Sequence, residues 1–151
     1  MTARWGDIEY IPILLGKIYE MTVQERAPAI FGKKLKRIKV VWPRSSEIVK
    51  DLEDAVTSGH LTEEEKQQIL NLDLIVEGKD KETGKIKLLA VEVSYTLDDN
   101  DIQRAQKRAA LLKKALKMEV EPVVVSAEIT ESQLNKKPEG IEIILYSLNK
   151  K

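Results

Sequence analysis

The chain has 151 residues, of which 42% are hydrophobic and 33% are charged, and its 25 basic and 25 acidic residues give a formal net charge of zero. This size and apolar content suit one compact core, so we predict a single domain over residues 1–151. The lack of cysteine excludes disulfides, thiolate metal sites and a cysteine nucleophile, and the zero net charge argues against binding nucleic acid through bulk positive charge.

The sequence also argues against a membrane location. Its longest apolar stretches fall short of the roughly 18 to 20 residues that a membrane-spanning helix needs. The first residues include Arg4, Asp7 and Glu9, and they lack the apolar core of a signal peptide. We therefore expect a cytoplasmic protein that does not contact a membrane.

The first half of the chain predicts a helix, a strand and two further helices. The opening helix is expected over residues 7–30, because apolar residues recur there at helical spacing. This apolar stripe consists of Ile8, Ile11, Leu14, Leu15, Ile18 and Met21. A strand is expected at residues 37–42, a helix from Ser45 or Ser46 to Gly59, and a short helix at residues 63–70 with Thr62 and Glu65 as a capping box.

The second half predicts four strands and two helices. Residues 72–77 and 86–95 form strands joined by a glycine-containing, charged turn, so they should pair antiparallel. A long helix follows, with Asp98, Asp99 and Asp101 in its first turn and Lys113, Lys114 and Lys117 at its end, and both sets of charges complement the helix dipole. The remaining elements are a strand at residues 120–127, a short helix capped by Thr130 and Gln133, and a strand at residues 141–148.

The predicted order is therefore α-β-α-α-β-β-α-β-α-β. The strand–helix–strand unit over residues 86–125 implies a right-handed crossover and a parallel strand pair. Together with the antiparallel hairpin, this unit predicts an α/β fold with a mixed β-sheet flanked by helices.

Two acids within apolar segments are the main indication of chemistry. Asp73 lies in the segment Asn71-Leu72-Asp73-Leu74-Ile75-Val76, and Glu92 lies in Leu88-Leu89-Ala90-Val91-Glu92-Val93-Ser94. An acid that loses its hydration needs a partner, a proton or a cation. Strand alternation can bring the two carboxylates together, and with the backbone carbonyl of Val93 they could ligate Mg²⁺ or Mn²⁺. In the alternative, Asp73 is a partly solvated strand start and Glu92 pairs with a helix arginine or lysine.

Positive charge is concentrated in two segments, residues 31–44 and 103–117, which contain no acid. We expect these segments to contact the phosphates of DNA. The residues assigned to this role are Lys33, Lys34, Lys36, Arg37, Arg104, Lys107 and Arg108. The alternative is that both segments are solvated helix faces and helix ends.

The element order, with Asp73 followed by Glu92-Val93-Ser94 near the end of the next strand, resembles the PD-(D/E)XK nuclease superfamily. That superfamily includes archaeal Holliday-junction resolvases and restriction endonucleases. Residues 91–94 and 101–112 are also similar to a group of bacterial proteins assigned to it. The resemblance implies a restriction-endonuclease-like fold, Mg²⁺- or Mn²⁺-dependent hydrolysis of DNA phosphodiester bonds, and a homodimer, because related folds often cut two strands with two subunits.

The resemblance also implies roles for individual residues. Asp73 matches the first metal carboxylate of the family and Glu92 matches the second. Glu20 matches an acid on the first helix that sometimes supports the ion, and Gln103 falls where some members place a glutamine.

Ser94 departs from the family pattern, because it stands where the motif usually has a lysine that orients the attacking water. A neutral, short serine cannot replace an ammonium group. Either a lysine from another element enters the site, with Lys107 as the first candidate, or the protein is a catalytically inactive nuclease-fold module for nucleic-acid binding or protein assembly.

Overall fold

The computed structural model of the chain describes residues 4–148, with side chains from residue 11 onward. The described part has six helices and five strands. They are α1 (Arg4–Glu25), α2 (Ala27–Phe31), β1 (Leu35–Trp42), α3 (Glu47–Thr57), α4 (Glu63–Leu70), β2 (Leu74–Asp80), β3 (Ile86–Thr96), α5 (Asp99–Leu116), β4 (Val120–Glu128), α6 (Glu131–Asn135) and β5 (Glu142–Leu145). This order matches the predicted one, except that two helices replace the single opening helix.

The five strands form one mixed sheet in the order β1-β2-β3-β4-β5. The β2–β3 hairpin is antiparallel and β3 pairs parallel with β4, as predicted, while β1 is antiparallel to β2 and β5 is parallel to β4. Helices flank this sheet, so the α/β class is confirmed. The arrangement is consistent with the restriction-endonuclease-like fold that the resemblance implied. Within residues 4–148, every helix is too short or too polar to span a bilayer.

Helices pack on both faces of the sheet, and side chains alternate along β2 and β3 between these two helical layers. Leu74 and Val91 pack with the side chains of α1 and α2, whereas Ile75 and Ala90 pack with those of α3, α4 and α5. Successive side chains of a strand point to opposite faces, which explains this separation. Glu92 has the parity of Ala90 and therefore faces the layer that contains α5.

The opening helix ends earlier than residue 30, because the helical conformation is interrupted at Arg26. Pro28 has no backbone N–H and cannot continue the helical hydrogen bonding, but it is tolerated in a first turn. It occupies that position in α2, where Arg26 accepts hydrogen bonds from the N–H groups of Ala29 and Ile30. The prediction of one continuous helix was therefore wrong.

The apolar stripe of α1 lies largely on the exposed side of that helix. Ile11, Leu14, Ile18 and Met21 are between 43% and 62% exposed. The helix instead buries Tyr19 and Val23, which point toward the sheet. The Tyr19 hydroxyl donates a hydrogen bond of 2.7 Å to the carbonyl of Tyr146, and burial raises the Tyr19 pKa above its ordinary value. The side chain of Ile8 lies outside the described residues.

Strand boundaries differ from prediction at several ends. Strand β1 starts two residues earlier, β2 runs to Asp80, and β5 is shorter than residues 141–148. The Asp80 carboxylate accepts the N–H groups of Glu82 and Thr83, so its side chain organises the hairpin turn. The capping boxes predicted at residues 62 and 130 are both present.

Strand β1 forms an outer edge of the sheet, and its pairing with β2 is irregular. The register shifts between Lys36 and Lys39, and again between Val40 and Trp42. Arg37 lies at the first shift with φ of 56°, in the left-handed region that is uncommon for a residue with a side chain.

Candidate functional site

Asp73 lies in the bend between α4 and β2, next to the end of β3. Its Oδ2 accepts a hydrogen bond of 2.8 Å from the backbone N–H of Val93. Since Leu74 pairs with Val91, Asp73 reaches the level of Glu92 on the neighbouring strand. The two predicted metal carboxylates are therefore neighbours.

Burial raises the pKa of Asp73 to about 7. The negative charges of Glu92 and Glu20 raise it further, while the hydrogen bond from Val93 and the positive charge of Arg108 act in the opposite direction. Glu20 thus lies close enough to influence Asp73 electrostatically. The three acids predicted for the site, Asp73, Glu92 and Glu20, therefore interact electrostatically with one another around Asp73.

Glu92 is 4% exposed, and two arginines of α5 contact its carboxylate. The Nε atom of Arg104 lies 3.4 Å from Oε1, and Nη1 of Arg108 lies 3.0 Å from Oε2. Burial raises the pKa of Glu92, and the two guanidinium groups oppose that shift. The alternative interpretation of the sequence, in which Glu92 pairs with a helix arginine, is therefore present in the geometry.

Each arginine has a second anchor. Arg108 donates to Oε1 of Gln68 at 3.3 Å and to the carbonyl of Asn71 at 3.3 Å. Arg104 donates through Nη2 to Oδ1 of Asp101, whose other oxygen accepts the N–H of Asp98 at the start of α5. The helix cap, the arginines and the acid of β3 therefore form one network.

The network of acids and arginines around Glu92 has a net negative charge that a bound cation would compensate. When the carboxylates of Glu20, Asp73, Glu92 and Asp101 are all ionised, which for Asp73 requires a pH above about 7, their four negative charges exceed the two positive charges of the guanidinium groups by two. Asp73 and Glu92 supply hard oxygen donors of the type that Mg²⁺ and Mn²⁺ prefer, so their chemistry fits such an ion. However, the described side chains contain no group of three or more His, Asp or Glu residues placed to hold a metal ion. Water would have to complete the coordination.

A groove of about 400 Å³ runs between α1 and the end of β3. Three predicted site residues line it, namely Glu20, Val93 and Ser94. The Ser94 hydroxyl donates a hydrogen bond of 2.7 Å to the carbonyl of Thr96, so in this structure it serves the local backbone. The backbone N–H of Val93 already donates a hydrogen bond to Asp73.

Gln103 and Lys107 are exposed on α5. At 100° per residue, Lys107 lies about 60° around the helix from Arg104 in one direction, and Arg108 lies about 40° from Arg104 in the other direction. The structure thus directs Arg104 and Arg108, rather than Lys107 and Gln103, toward Glu92.

Six of the seven residues assigned to phosphate contact are exposed: Lys33, Lys34, Lys36, Arg37, Arg104 and Lys107. Arg108 is the exception, because its side chain is only 12% exposed. The segment that begins at Lys33 lies far from the acids. Leu35 pairs with Asp80, seven residues along the chain from Asp73, which corresponds to roughly 20 Å.

Sequence reasoning missed the roles of Asp101, Gln68 and Asn71 in the network. Asp101 was interpreted only as a helix-dipole residue. The spacing of Asp101, Arg104 and Arg108, at i, i+3 and i+7, was an available signal because it places all three on one helix face.

No family model matches the chain, and no curated protein matches it. Among solved structures, the chain is similar to the crystal structure of a repair endonuclease from Pyrococcus abyssi, with 18% sequence identity and a TM-score of 0.36. The match covers 66% of this chain and 46% of the endonuclease chain. The chain therefore spans less than half the length of that endonuclease.

Proposed function

We propose that the chain is a metal-dependent nuclease-like protein that hydrolyses DNA phosphodiester bonds. The observation that carries the proposal is the meeting of Asp73 with the buried Glu92, close to the negative charge of Glu20. Buried like charges are unfavourable unless a proton or a cation compensates them. A bound Mg²⁺ or Mn²⁺ would supply this compensation.

Asp73 and Glu92 would hold the ion, with the carbonyl of Val93 as a third protein ligand. When bound, such an ion activates water and neutralises charge on a phosphate. Glu20, at the wall of the adjacent groove, would support the site from α1. Gln103 and Lys107 would approach the substrate from the exposed side of α5.

The exposed basic residues would bind the phosphate backbone. Because the segment at Lys33–Arg37 lies roughly 20 Å from Asp73, a DNA that reaches both places must extend over about six nucleotides. Cleavage of much shorter DNA should therefore be inefficient. Binding should weaken as salt is added, since phosphate contacts release counterions.

A second function, that of a catalytically inactive module, is favoured by two observations. Ser94 stands where the family that the sequence resembles usually has a lysine, and its hydroxyl donates a hydrogen bond to the Thr96 carbonyl. Both oxygens of Glu92 already contact arginine. In this second case the fold would bind nucleic acid or assemble with a protein without cutting.

Metal binding and cleavage separate the two functions. Calorimetry with Mg²⁺ and Mn²⁺ should detect binding to the wild type, and Asp73→Asn and Glu92→Gln should each abolish it. The same variants should abolish cleavage of supercoiled, branched or single-stranded DNA. Asp51→Asn, which removes an exposed acid from α3, is the matched control and should behave as the wild type.

The outcomes are distinct. Cleavage that survives both site substitutions would refute the proposed mechanism. Binding of metal or DNA by a wild type that does not cut would favour the inactive module.

A cytoplasmic homodimer is part of the same proposal. The exposed residues Ile11, Leu14, Ile18 and Met21 follow a 3-4-3 spacing on α1, which is the spacing of the seam between two packed helices. A second copy of the chain could therefore cover this stripe through its own α1. Ile18→Glu should convert the dimer to a monomer in analytical ultracentrifugation, and a monomeric wild type would refute the dimer.

A further inference from the structure

The two arginines that share Glu92 differ in their surroundings. The Arg108 side chain is 12% exposed, and its guanidinium contacts Glu92 at 3.0 Å as well as Gln68 and the Asn71 carbonyl. Three partners, from β3, α4 and the C-cap of α4, hold it in place. Arg108 therefore has the character of a fixed counter-ion for the buried acid.

Arg104 is in a different position. Its side chain is 44% exposed, and its contact with Glu92 is longer, at 3.4 Å. Its bonds to Glu92 and Asp101 use Nε and Nη2, while a guanidinium carries five N–H donors in total. Its other donors make no bond to the side chains or backbone of residues 11–148, so they can bind an incoming anion, and its contact with Glu92 is longer than that of Arg108.

The positions on α5 also favour Arg104 over Lys107. On the helix, Arg104 lies between the enclosed Arg108 and the exposed Lys107. It is thus close to the acid and exposed at the same time. A guanidinium binds phosphate through paired N–H groups and stays charged at all working pH values, so it can supply charge and orientation but no proton transfer.

We propose that Arg104 supplies the positive charge that Ser94 cannot, by leaving Glu92 when a divalent ion binds there and donating to the oxygens of the DNA phosphate. Arg108 stays on Glu92 throughout. This inference rests on the proposed nuclease-like function. It assigns the phosphate-contacting cation of the site to Arg104 and not to Lys107.

The first test is calorimetry with Mn²⁺, whose readout does not depend on activity. If Arg104 competes with the ion for Glu92, Arg104→Gln should bind Mn²⁺ roughly fivefold or more tightly than the wild type. Arg104→Lys should fall between the two. Lys113→Gln removes one charge from an exposed position farther along α5, so it controls for net charge and should match the wild type.

The second test is single-turnover cleavage of a defined DNA at saturating Mn²⁺. Arg104→Gln should slow cleavage by about a hundredfold, as loss of a charge-stabilising donor typically does, with a small change in DNA affinity. Arg104→Lys should restore part of the rate. Urea unfolding should show that these variants stay folded, because Arg108 still pairs with Glu92.

Several results would overturn the inference. They are unchanged Mn²⁺ affinity in Arg104→Gln, unchanged cleavage in that variant, or a loss of cleavage confined to Lys107→Gln. If the wild type neither binds Mn²⁺ nor cuts but Arg104→Gln binds Mn²⁺, the nuclease function fails while the competition at Glu92 is supported. If no variant binds Mn²⁺, both the function and the inference fail.

Discussion

Replacing Asp73 with Asn removes a carboxylate whose ionisation the fold opposes. Burial raises the pKa of Asp73 from 3.8 to about 7, so between these values the folded protein holds a proton that the unfolded chain releases. The free energy of unfolding of the wild type should therefore fall as the pH rises through this window. Asn is neutral, and its side-chain oxygen can still accept the N–H of Val93.

The size of the effect follows from the shift. Each unit of pKa difference corresponds to about 1.4 kcal/mol, so a shift of roughly three units gives an upper value of about 4 kcal/mol. The variant and the wild type should have similar stability near pH 4. Above pH 7, Asp73→Asn should be the more stable protein by up to that amount.

Urea unfolding of both proteins at several values between pH 4 and pH 8 would measure the difference. Excess Mn²⁺ at pH 8 should then stabilise the wild type and leave Asp73→Asn nearly unchanged, because a ligand of the folded state raises stability by mass action. Parallel stability profiles for the two proteins would refute the reasoning about Asp73.

Three further substitutions test the surrounding structure by urea unfolding. Arg108→Gln should lower the free energy of unfolding by about 3 kcal/mol, at the low end for a broken buried ion pair because another arginine still contacts Glu92. Thr62→Ala removes the cap of α4 and should cost about 1 kcal/mol. Tyr19→Phe removes the hydrogen bond to the Tyr146 carbonyl and should also cost about 1 kcal/mol.

Each of these substitutions has a matched control. Lys113→Gln removes an exposed charge from the same helix as Arg108, Thr57→Ala changes an exposed residue at the end of α3, and Tyr95→Phe removes the hydroxyl of the ring beside Tyr19. A control that destabilised the protein as much as its partner substitution would contradict the corresponding explanation. A fully stable Arg108→Gln would show that Glu92 does not need its enclosed counter-ion.

Much of the fold could be predicted because local signals agreed with the final packing. The hairpin is marked by apolar strands around a charged turn that contains Gly84, and the capping boxes at Thr62 and Thr130 mark two helix starts. The orientation of α1 could not be predicted in this way. Tyr19 and Val23 form one apolar face while Ile11, Leu14, Ile18 and Met21 form another, and only tertiary packing decides which face is buried.

The site was predictable in part for a similar reason. Strand parity correctly indicated that Asp73 and Glu92 are neighbours. The partners of Glu92 depend on the rotation of α5 relative to β3, which is set by core contacts of residues such as Ala105 and Leu112. Spacing within the sequence places Asp101, Arg104 and Arg108 on one face of α5, but it does not show which strand residue that face meets, so arginine pairing and metal ligation both stayed open.

The irregular outer strand β1 has a consequence for self-association. Its hydrogen-bonding register is broken twice, Arg37 adopts a left-handed conformation, and Lys36 and Lys39 place like charges along the strand. Such a border is a poor template for a strand from another molecule, which limits fibre-like growth of the sheet. Copies of this chain that associate would therefore have to meet elsewhere than at β1, either at the opposite edge strand β5 or through their helices, and the lysines of β1 stay accessible to solvent and to polyanions.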